Sequence, residues 1–266
     1  MTMAVEIHER LEDAARAAAE RGARYHGGGS IVMRAVHEGD QNFDRMVLAR
    51  DPLLTRIEAQ GDRVRIGAGV TMAALLAARE TAFLIPAARA VGGPAIRTVA
   101  TIGGNLFAAH PYGDLAVALL ALGTTVTLAG QGREMPLEEL LSARERHRPL
   151  VSAIQVTRPA DGTFRFHKVT RVKPKGVSVM SMAALLPQRS GRVAGARVAY
   201  GAMGPAPIRV TAVERALEGR TLDASGIAAA LAAATDGLSP PTDALASEWY
   251  RRETAPVHLS RLLLGG

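Results

Sequence analysis

The sequence predicts an α+β fold in two parts, in which strands and helices fall into separate runs. Its 266 residues are 48% hydrophobic and 21% charged, which is typical of a globular chain that buries a substantial core. The stretch "RPADG" at residues 158–162 marks a change in the sequence pattern, because a segment rich in strand-forming residues follows it. We therefore predict a first domain of residues 1–160, with subdomains of about 1–53 and 54–160, and a second domain of residues 161–266.

The first domain is predicted to begin with a helix and to continue with short strands. Leu11, Ala14, Ala15 and Ala18 have helical spacing, and Gly22 ends the pattern. The elements predicted after it are strands at 23–26, 45–49, 54–59, 62–67 and 124–130, helices at 31–36, 71–79, 83–91 and 114–123, and a glycine-rich loop at 92–105.

The second domain is predicted as a small sheet followed by helices. Segments with strand character at about 164–171, 177–186 and 192–199 form a three-stranded antiparallel meander. Helices are predicted at 211–218 and 224–235, and a helical tail follows the Pro-Pro pair at 240–241. Strands followed by helices are typical of an α+β domain.

The charge and cysteine content exclude several classes of function. The net charge is +7, but the basic residues are scattered, and the densest group is only Arg171, Lys173 and Lys175. Aromatic residues make up 4% of the chain, which leaves little to stack on bases, so nucleic-acid binding is not expected. The sequence has no cysteine, which excludes disulfides, thiolate-bound zinc and cysteine-bound iron–sulfur clusters within it.

The N-terminal segment shows no targeting signal. Residues 1–22 are charged and have helical character, without the apolar core and cleavage pattern of a signal peptide. No stretch approaches the roughly 18 unbroken apolar residues that a membrane-spanning helix requires. We therefore expect a cytoplasmic protein with no membrane span.

Two glycine-rich segments indicate close contact with an anion. In "HGGGS" at 26–30, consecutive backbone N–H groups can converge on a negative charge, although a flexible turn is the other interpretation. "TIGGN" at 101–105 has the same character, with polar groups from Thr101 and Asn105. Asp114 is either the N-cap of the following helix or a carboxylate that accepts hydrogen bonds from ribose hydroxyls.

The order and spacing of these segments resemble one protein family. "HGGGSI", "TIGGNL" and "HPYGD" are similar to the three motifs of the FAD-binding subunit of molybdenum hydroxylases, as found in CO dehydrogenase and xanthine dehydrogenase. "FHKVTRVKPKG", "RVAYGAMGPAPIR" and "WYRRETAPVHLSRLL" resemble its later segments, so the resemblance covers essentially the whole chain. It implies a two-part FAD-binding domain of the vanillyl-alcohol-oxidase (PCMH) type, followed by a C-terminal flavoprotein domain.

The resemblance also implies which residues hold the cofactor, a noncovalent FAD. They are the first loop with its flanks, the second loop, and four separate positions. The implied residues are Arg24, Tyr25, His26, Gly27, Gly28, Gly29, Ser30, Ile31, Val91, Thr101, Ile102, Gly103, Gly104, Asn105, Asp114, Val151 and Lys168. No residue of the chain is implied to be catalytic or to bind a metal, because the chemistry belongs to the flavin.

The function that the resemblance implies is electron transfer within a complex. A large subunit with the molybdenum cofactor would oxidise the substrate, and a small subunit with [2Fe–2S] clusters would pass electrons to this FAD. The acceptor would be NAD⁺, a quinone or O₂, and the assembly a dimer of heterotrimers. Two alternatives stay open: a free-standing FAD-dependent oxidoreductase of the same fold superfamily, and a non-enzymatic basic binding module.

Three residues depart from the family pattern. His26 stands where the family has a small residue, and His110 and Tyr112 stand where it has Ser and a small residue. Each of the two histidines is interpreted either as a loop residue that packs locally or as a group that tunes the flavin or contacts a partner.

Overall fold

A computed structural model describes residues 3–40, 42–144, 146, 148–172 and 176–265. The chain divides into two units whose sequences interleave. Unit 1 comprises the described residues of Met1–Ala82, Gly93–Ala108 and Thr124–Val156, and unit 2 comprises those of Phe83–Gly92, Ala109–Gly123 and Thr157–Gly266. Lys173 and Lys175 of the predicted basic group lie outside the described residues.

The strands are short. They are β1 (Ala4–His8), β2 (Ala23–Tyr25), β3 (Arg45–Ala49), β4 (Ile57–Gln60), β5 (Arg63–Gly67), β6 (Thr125–Leu128), β7 (Glu134–Pro136), β8 (Val151–Thr157), β9 (Phe164–Thr170), β10 (Ser178–Leu185), β11 (Gln188–Arg189), β12 (Arg192–Val193), β13 (Arg197–Gly201) and β14 (Ile208–Arg209).

The helices range from single turns to a long C-terminal helix. They are α1 (Leu11–Ala18), α2 (Val32–His37), α3 (Met72–Ala77), α4 (Ile85–Ala90), α5 (Pro94–Arg97), α6 (Ile102–Leu106), α7 (Asp114–Ala121), α8 (Leu137–Ala143), α9 (Thr211–Leu217), α10 (Ala228–Ala232) and α11 (Glu248–Leu264), with 3₁₀ turns at Pro52–Thr55 and Arg79–Leu84. None of the described helices is long and apolar enough to cross a membrane.

Unit 1 contains two sheets. In the three-stranded sheet, β3 lies between β1 and β2 and runs parallel to both. The five-stranded sheet has the order β4-β5-β8-β6-β7. Helix α1 buries Leu11, Ala14 and Ala17 and contacts β3, as its helical spacing of apolar residues predicts.

Two predictions for unit 1 are wrong in detail. Residues 1–22 were expected to be helical throughout, but Ala4–His8 forms β1, because its backbone pairs with β3. The segment 92–105 was expected to be a loop, but it contains α5 and α6. Pro94 occupies the first turn of α5, and the Thr101 hydroxyl caps α6, so each glycine-rich stretch has a local helix start.

Unit 2 is built on an antiparallel sheet with the order β14-β13-β10-β9. The predicted three-stranded meander is present and carries a fourth short strand, β14. The third predicted strand, 192–199, is divided, because Gly195 adopts a φ of +77° between β12 and β13. The helix predicted at 224–235 is confined to α10.

Helix α7 is the most deeply buried element of unit 2. All eight of its residues are buried, and it contacts α4, β10 and β13. The close approach to the sheet depends on Gly201, where an added Cβ would lie 2.5 Å from Val117 Cγ2 and 2.6 Å from Ser181 Oγ. Residues 115–121 of this helix are all apolar, so the helix is stable only when other elements pack around it. Its contacts with α4, β10 and β13 provide this packing.

Candidate functional site

The first glycine-rich loop follows β2 and leads into α2 in unit 1. His26 N–H donates to Val47 O of β3, which ends the strand pairing. Among the described residues, no acceptor receives a hydrogen bond from the backbone N–H groups of the next four residues, 27–30. Unpaired N–H groups in succession form the kind of concave donor set that binds anions.

Gly29 gives this loop its turn. Its φ is +80°, and an added Cβ would lie 2.4 Å from Nε2 of His26, so the imidazole folds over the turn. A cleft of about 520 Å³ is lined by residues of the loop, of α2 and of the second glycine segment. The lining residues are His26, Gly28, Gly29, Ser30, Met33, Arg34, His37, Glu38 and Val99. Met33, Arg34, His37, Glu38 and Val99 were not among the predicted site residues.

The structure brings the two glycine segments into contact. An added Cβ at Gly28 would lie 2.0 Å from Val99 O and 3.0 Å from Thr101 Cγ2. One at Gly27 would lie 3.3 Å from Thr101 Oγ1 and 3.7 Å from Gly104 N. Part of the requirement for glycine in the first loop therefore comes from packing against the second.

The N–H groups of residues 102–105 in the second segment are paired, contrary to expectation. Ile102 N donates to Val70 O, and Gly103 N donates to Ala68 O. Gly104 N donates to the Thr101 hydroxyl at 3.1 Å, and Asn105 N donates to Thr101 O. The segment folds as the first turn of α6, and carbonyl groups of Val70 and Ala68 pair two of its donors, so of the two glycine segments the first has the run of unpaired N–H groups.

Two flanking residues of the first loop are partly withdrawn from water. The guanidinium of Arg24 lies 5.2 Å from the ring centroid of Phe43. Burial and the nearby Arg148 lower the pKa of Arg24, against the opposing effect of Asp40. Burial raises the pKa of Tyr25 to about 12, so its hydroxyl stays protonated and can donate.

Asp114 and Lys168 form a buried ion pair in unit 2. Asp114 is the first residue of α7, and its side chain does not cap the helix, contrary to one prediction. Its Oδ2 accepts from Lys168 Nζ at 2.8 Å and its Oδ1 from Ser178 Oγ at 2.6 Å. Lys168 also donates to Ala90 O at 2.7 Å. From the sequence alone, Lys168 would be interpreted as a solvent-exposed lysine. In the structure, its ammonium group on β9 contacts α4 and α7.

The remaining predicted residues, Ile31, Val91 and Val151, are apolar. Val91 follows Ala90 at the end of α4. Val151 begins β8 and is buried; the carbonyl of the next residue, Ser152, accepts from Ala68 N–H. Because Ala68 O in turn accepts from Gly103, β8 is linked to the second segment by two hydrogen bonds. Ile31 precedes α2 and is 41% exposed.

Two family models together match nearly the whole chain. The model for the FAD binding domain in molybdopterin dehydrogenase matches residues 2–159. The chain belongs to this family. The model for the CO dehydrogenase flavoprotein C-terminal domain matches residues 165–265. The protein is therefore an FAD-binding subunit of the molybdenum hydroxylase family, as its motifs indicated.

Curated relatives of this family are similar to most of the chain. The 6-hydroxypseudooxynicotine dehydrogenase complex subunit alpha of Paenarthrobacter nicotinovorans is 30% identical, over 80% of this chain and 76% of its own. The carbon monoxide dehydrogenase medium chain of Afipia carboxidovorans is 25% identical, over 78% and 76%. The glyceraldehyde dehydrogenase medium chain of Sulfolobus acidocaldarius is 26% identical over 64% of this chain, and the match spans 63% of that relative's length.

Solved structures of the family share the fold. Reconstituted CO dehydrogenase from Oligotropha carboxidovorans contains a chain with a TM-score of 0.88 at 23% identity, covering 99% of this chain and 96% of that one. Quinoline 2-oxidoreductase from Pseudomonas putida 86 gives a TM-score of 0.88 at 21% identity, covering 100% and 96%. The predicted fold class is confirmed.

Proposed function

We propose that this chain is the electron-transfer subunit of a molybdenum hydroxylase complex. Its FAD receives electrons from [2Fe–2S] clusters on a small partner subunit and passes them to an external acceptor, NAD⁺, a quinone or O₂. The substrate is oxidised on a large subunit with the molybdenum cofactor, and the assembly is a dimer of heterotrimers. The family and its medium-chain relatives support this division of labour.

The observation that carries the proposal is the set of unpaired N–H groups at 27–30, in a domain of an FAD-binding family. The pyrophosphate of FAD carries two negative charges, and backbone N–H groups can solvate them without a cationic side chain. Because α2 has only six residues, its dipole adds little, and the N–H groups themselves supply the complementarity. The residues present therefore fit the cofactor.

The second segment acts differently in this proposal. Since the N–H groups of residues 102–105 are occupied, it shapes the first loop and exposes the bare Cα of Gly104 to the cofactor. Asp114 and Lys168 are the polar positions of unit 2 that the family resemblance assigns to FAD. The flavin, when bound, supplies the redox chemistry, and the chain binds and orients it.

The absence of cysteine is consistent with this role. Iron–sulfur clusters need thiolate ligands, and this sequence has none. In this proposal the chain holds the flavin, and another chain supplies the clusters from which the flavin receives electrons. The proposal therefore predicts a stable association with a cysteine-rich partner.

Isolation of the chain through an affinity tag, from cells that also express its partners, tests the function. We expect stoichiometric FAD, released on heating, and a co-purifying chain with a [2Fe–2S] electron paramagnetic resonance signal. In that complex, the flavin should be reduced after the clusters when electrons enter from the substrate side. If the isolated chain binds FAD and a substrate reduces this flavin without any partner subunit, the result would favour a free-standing oxidoreductase. A colourless chain that takes up no added FAD would overturn the proposal.

A further inference from the structure

Helix α11 of unit 2 has one buried side and one exposed face. It contacts α10, β9 and β10, and its buried residues are Arg251, Ala255, Leu259, Leu262 and Leu263. The exposed residues that follow Glu248 on this helix are Trp249, Tyr250, Glu253, Val257, Arg261 and Leu264. At 3.6 residues per turn, these six lie together on the face opposite the buried side. We call them the exposed face of α11.

The exposed face is largely apolar. Trp249 is 70% exposed, and Tyr250, Val257 and Leu264 are between 42% and 50% exposed. The last three follow one another at intervals of seven residues, the spacing of the seam along which two helices pack. Single exposed apolar side chains are ordinary, but a row of them on one face is typical of an interaction surface.

The residues of this face are spaced symmetrically about Val257. Tyr250 lies seven residues before it, and Leu264 lies seven residues after it. When two copies of a helix pack antiparallel about a two-fold axis, each residue before the centre faces the residue at the same interval after the centre in the other copy. With the axis at Val257, Tyr250 of each copy faces Leu264 of the other, and the two Val257 side chains meet.

The ends of such a pair are complementary in size. Trp249 lies eight residues before Val257, and Gly265 lies eight residues after it. Gly265 ends the helix in the left-handed conformation and has no side chain. The largest side chain of the exposed face therefore meets a position without side-chain atoms in the other copy.

The charges on the exposed face are complementary in the same arrangement. Glu253 lies four residues before Val257, and Arg261 lies four residues after it. They are too far apart to pair within one helix, where ion pairs join residues three or four positions apart. Neither side chain forms an ion pair among the described residues. In the antiparallel arrangement, Glu253 of each copy faces Arg261 of the other, so two ion pairs form.

We propose that the exposed face of α11 binds the same face of a second copy of this chain, as an antiparallel helix pair centred on Val257. The inference rests on the proposed function, because it supplies one contact for the dimer of heterotrimers. A single helix pair buries less than the roughly 1,200 Å² of a standard stable interface. The chain alone should therefore associate weakly, and the complete complex should add other contacts.

Reversal of the two charges tests this arrangement. Glu253→Arg and Arg261→Glu each bring like charges together across the two-fold axis. The double variant, Glu253→Arg with Arg261→Glu, keeps the composition of the parent chain and restores both ion pairs, so it is the matched control. A mixture of the two single variants also restores both ion pairs, in a dimer that contains one copy of each.

Sedimentation equilibrium of the full-length chain at low salt, over about 1–200 µM, measures the association. We expect the parent chain and the double variant to dimerise with affinities within about threefold of each other. Each single variant should associate about tenfold more weakly, and their mixture should recover the dimer fraction of the parent chain. FAD content should be equal in all of them, because α11 contains none of the residues assigned to FAD.

A parent chain that stays monomeric at the highest concentration would overturn the inference and leave the proposed function standing. Equal association of the parent chain and both single variants would also overturn it. In the co-expressed complex, loss of the [2Fe–2S] chain from both single variants would assign the face to that partner and overturn self-association. A parent chain with neither FAD nor a cluster-bearing partner would overturn the proposed function, while the charge reversals would still decide self-association.

Discussion

At the scale of single residues, Asp114 shows what its sequence context could and could not reveal. Its position before an apolar helix predicted a cap, and the family resemblance predicted a cofactor contact. Its actual partners, Lys168 and Ser178, come from strands 54 and 64 residues further along the chain. No local pattern encodes a pairing between such distant residues, since it depends on how β9 and β10 pack around α7.

Removal of the lysine from this pair should destabilise unit 2. Lys168→Met leaves the Asp114 carboxylate buried with Ser178 as its remaining side-chain donor, so we expect a loss of about 3 kcal/mol in the free energy of unfolding. Urea denaturation of the apoprotein measures it. The control is Asp114→Asn combined with Lys168→Met, which removes both charges and keeps an acceptor for Ser178. A double variant less stable than Lys168→Met would contradict this reasoning.

Gly104 and Gly28 should respond differently to an added side chain. At Gly104 an added Cβ meets only Thr101 Oγ1, at 3.2 Å. Gly104→Val should therefore leave a folded chain, because valine has a somewhat higher helix propensity than glycine, and should abolish FAD retention. Gly28→Ala would push a Cβ into Val99 O, so we expect a large fall in melting temperature. The measurements are flavin content and thermal melting; stoichiometric FAD in folded Gly104→Val would refute the role of this surface.

At the scale of elements, apolar spacing and glycine positions predicted most helices and strands within a few residues. No element was predicted at 131–157, where β7, α8 and β8 lie. Other errors occur where pairing or capping decides. Ala4–His8 becomes a strand because β3 offers a partner, and 94–106 becomes two helix turns because Pro94 and Thr101 start them. The two-residue strand β14 has too little pattern to be detected in sequence.

The contact of α7 with its sheet should depend on the absence of a side chain at Gly201. Gly201→Ala inserts a Cβ within 2.6 Å of both Val117 and Ser181, and we expect a loss of about 1–3 kcal/mol. Chemical denaturation measures the loss. Gly204→Ala is the matched control, because a Cβ there lies 3.8 Å from the nearest atom outside its chain neighbours. Similar stability for the two variants would show that the sheet accommodates the methyl group.

At the scale of the whole molecule, the sequence predicted the fold class and the family, since its motifs are spread along the chain. It predicted that both glycine segments bind an anion, but it could not predict that they contact each other or which of their N–H groups stay unpaired. That distinction depends on the carbonyl groups of Val70 and Ala68, which belong to a turn about 30 residues away in sequence. Nε2 of His110 lies 2.7 Å from Oδ2 of Asp243, 133 residues further along the chain. Sequence reasoning cannot predict this contact either, because the two residues are brought together only by the fold.

Stability should fall on mild acidification because of a histidine pair. His258 of α11 stacks on His167 of β9, with ring centroids 5.3 Å apart. Burial, then His167 and Arg261, lower the pKa of His258 from 6.5 to about 4. The unfolded chain therefore binds a proton between these values that the folded chain does not, and stability present above pH 6.5 is lost as the pH falls towards 4.

After allowance for solvent screening of a partly exposed side chain, we expect this loss to be on the order of 1 kcal/mol. Urea denaturation at a series of pH values measures it. His258→Gln should flatten the profile over the same interval, and an unchanged profile would assign the pH dependence to other groups.

The interleaving of the two units has a consequence for biosynthesis. Helix α7 ends at Ala121, but β10 and β13, the strands that cover it, begin at Ser178 and Arg197. At about 5–20 residues per second, the ribosome therefore completes a helix that is apolar at every position after Asp114 several seconds before its sheet exists. During that interval the nascent chain exposes a surface that chaperones recognise and that other nascent chains can bind. Slow translation between these points would prolong the exposure, so the yield of folded subunit should depend on codon choice in residues 124–177.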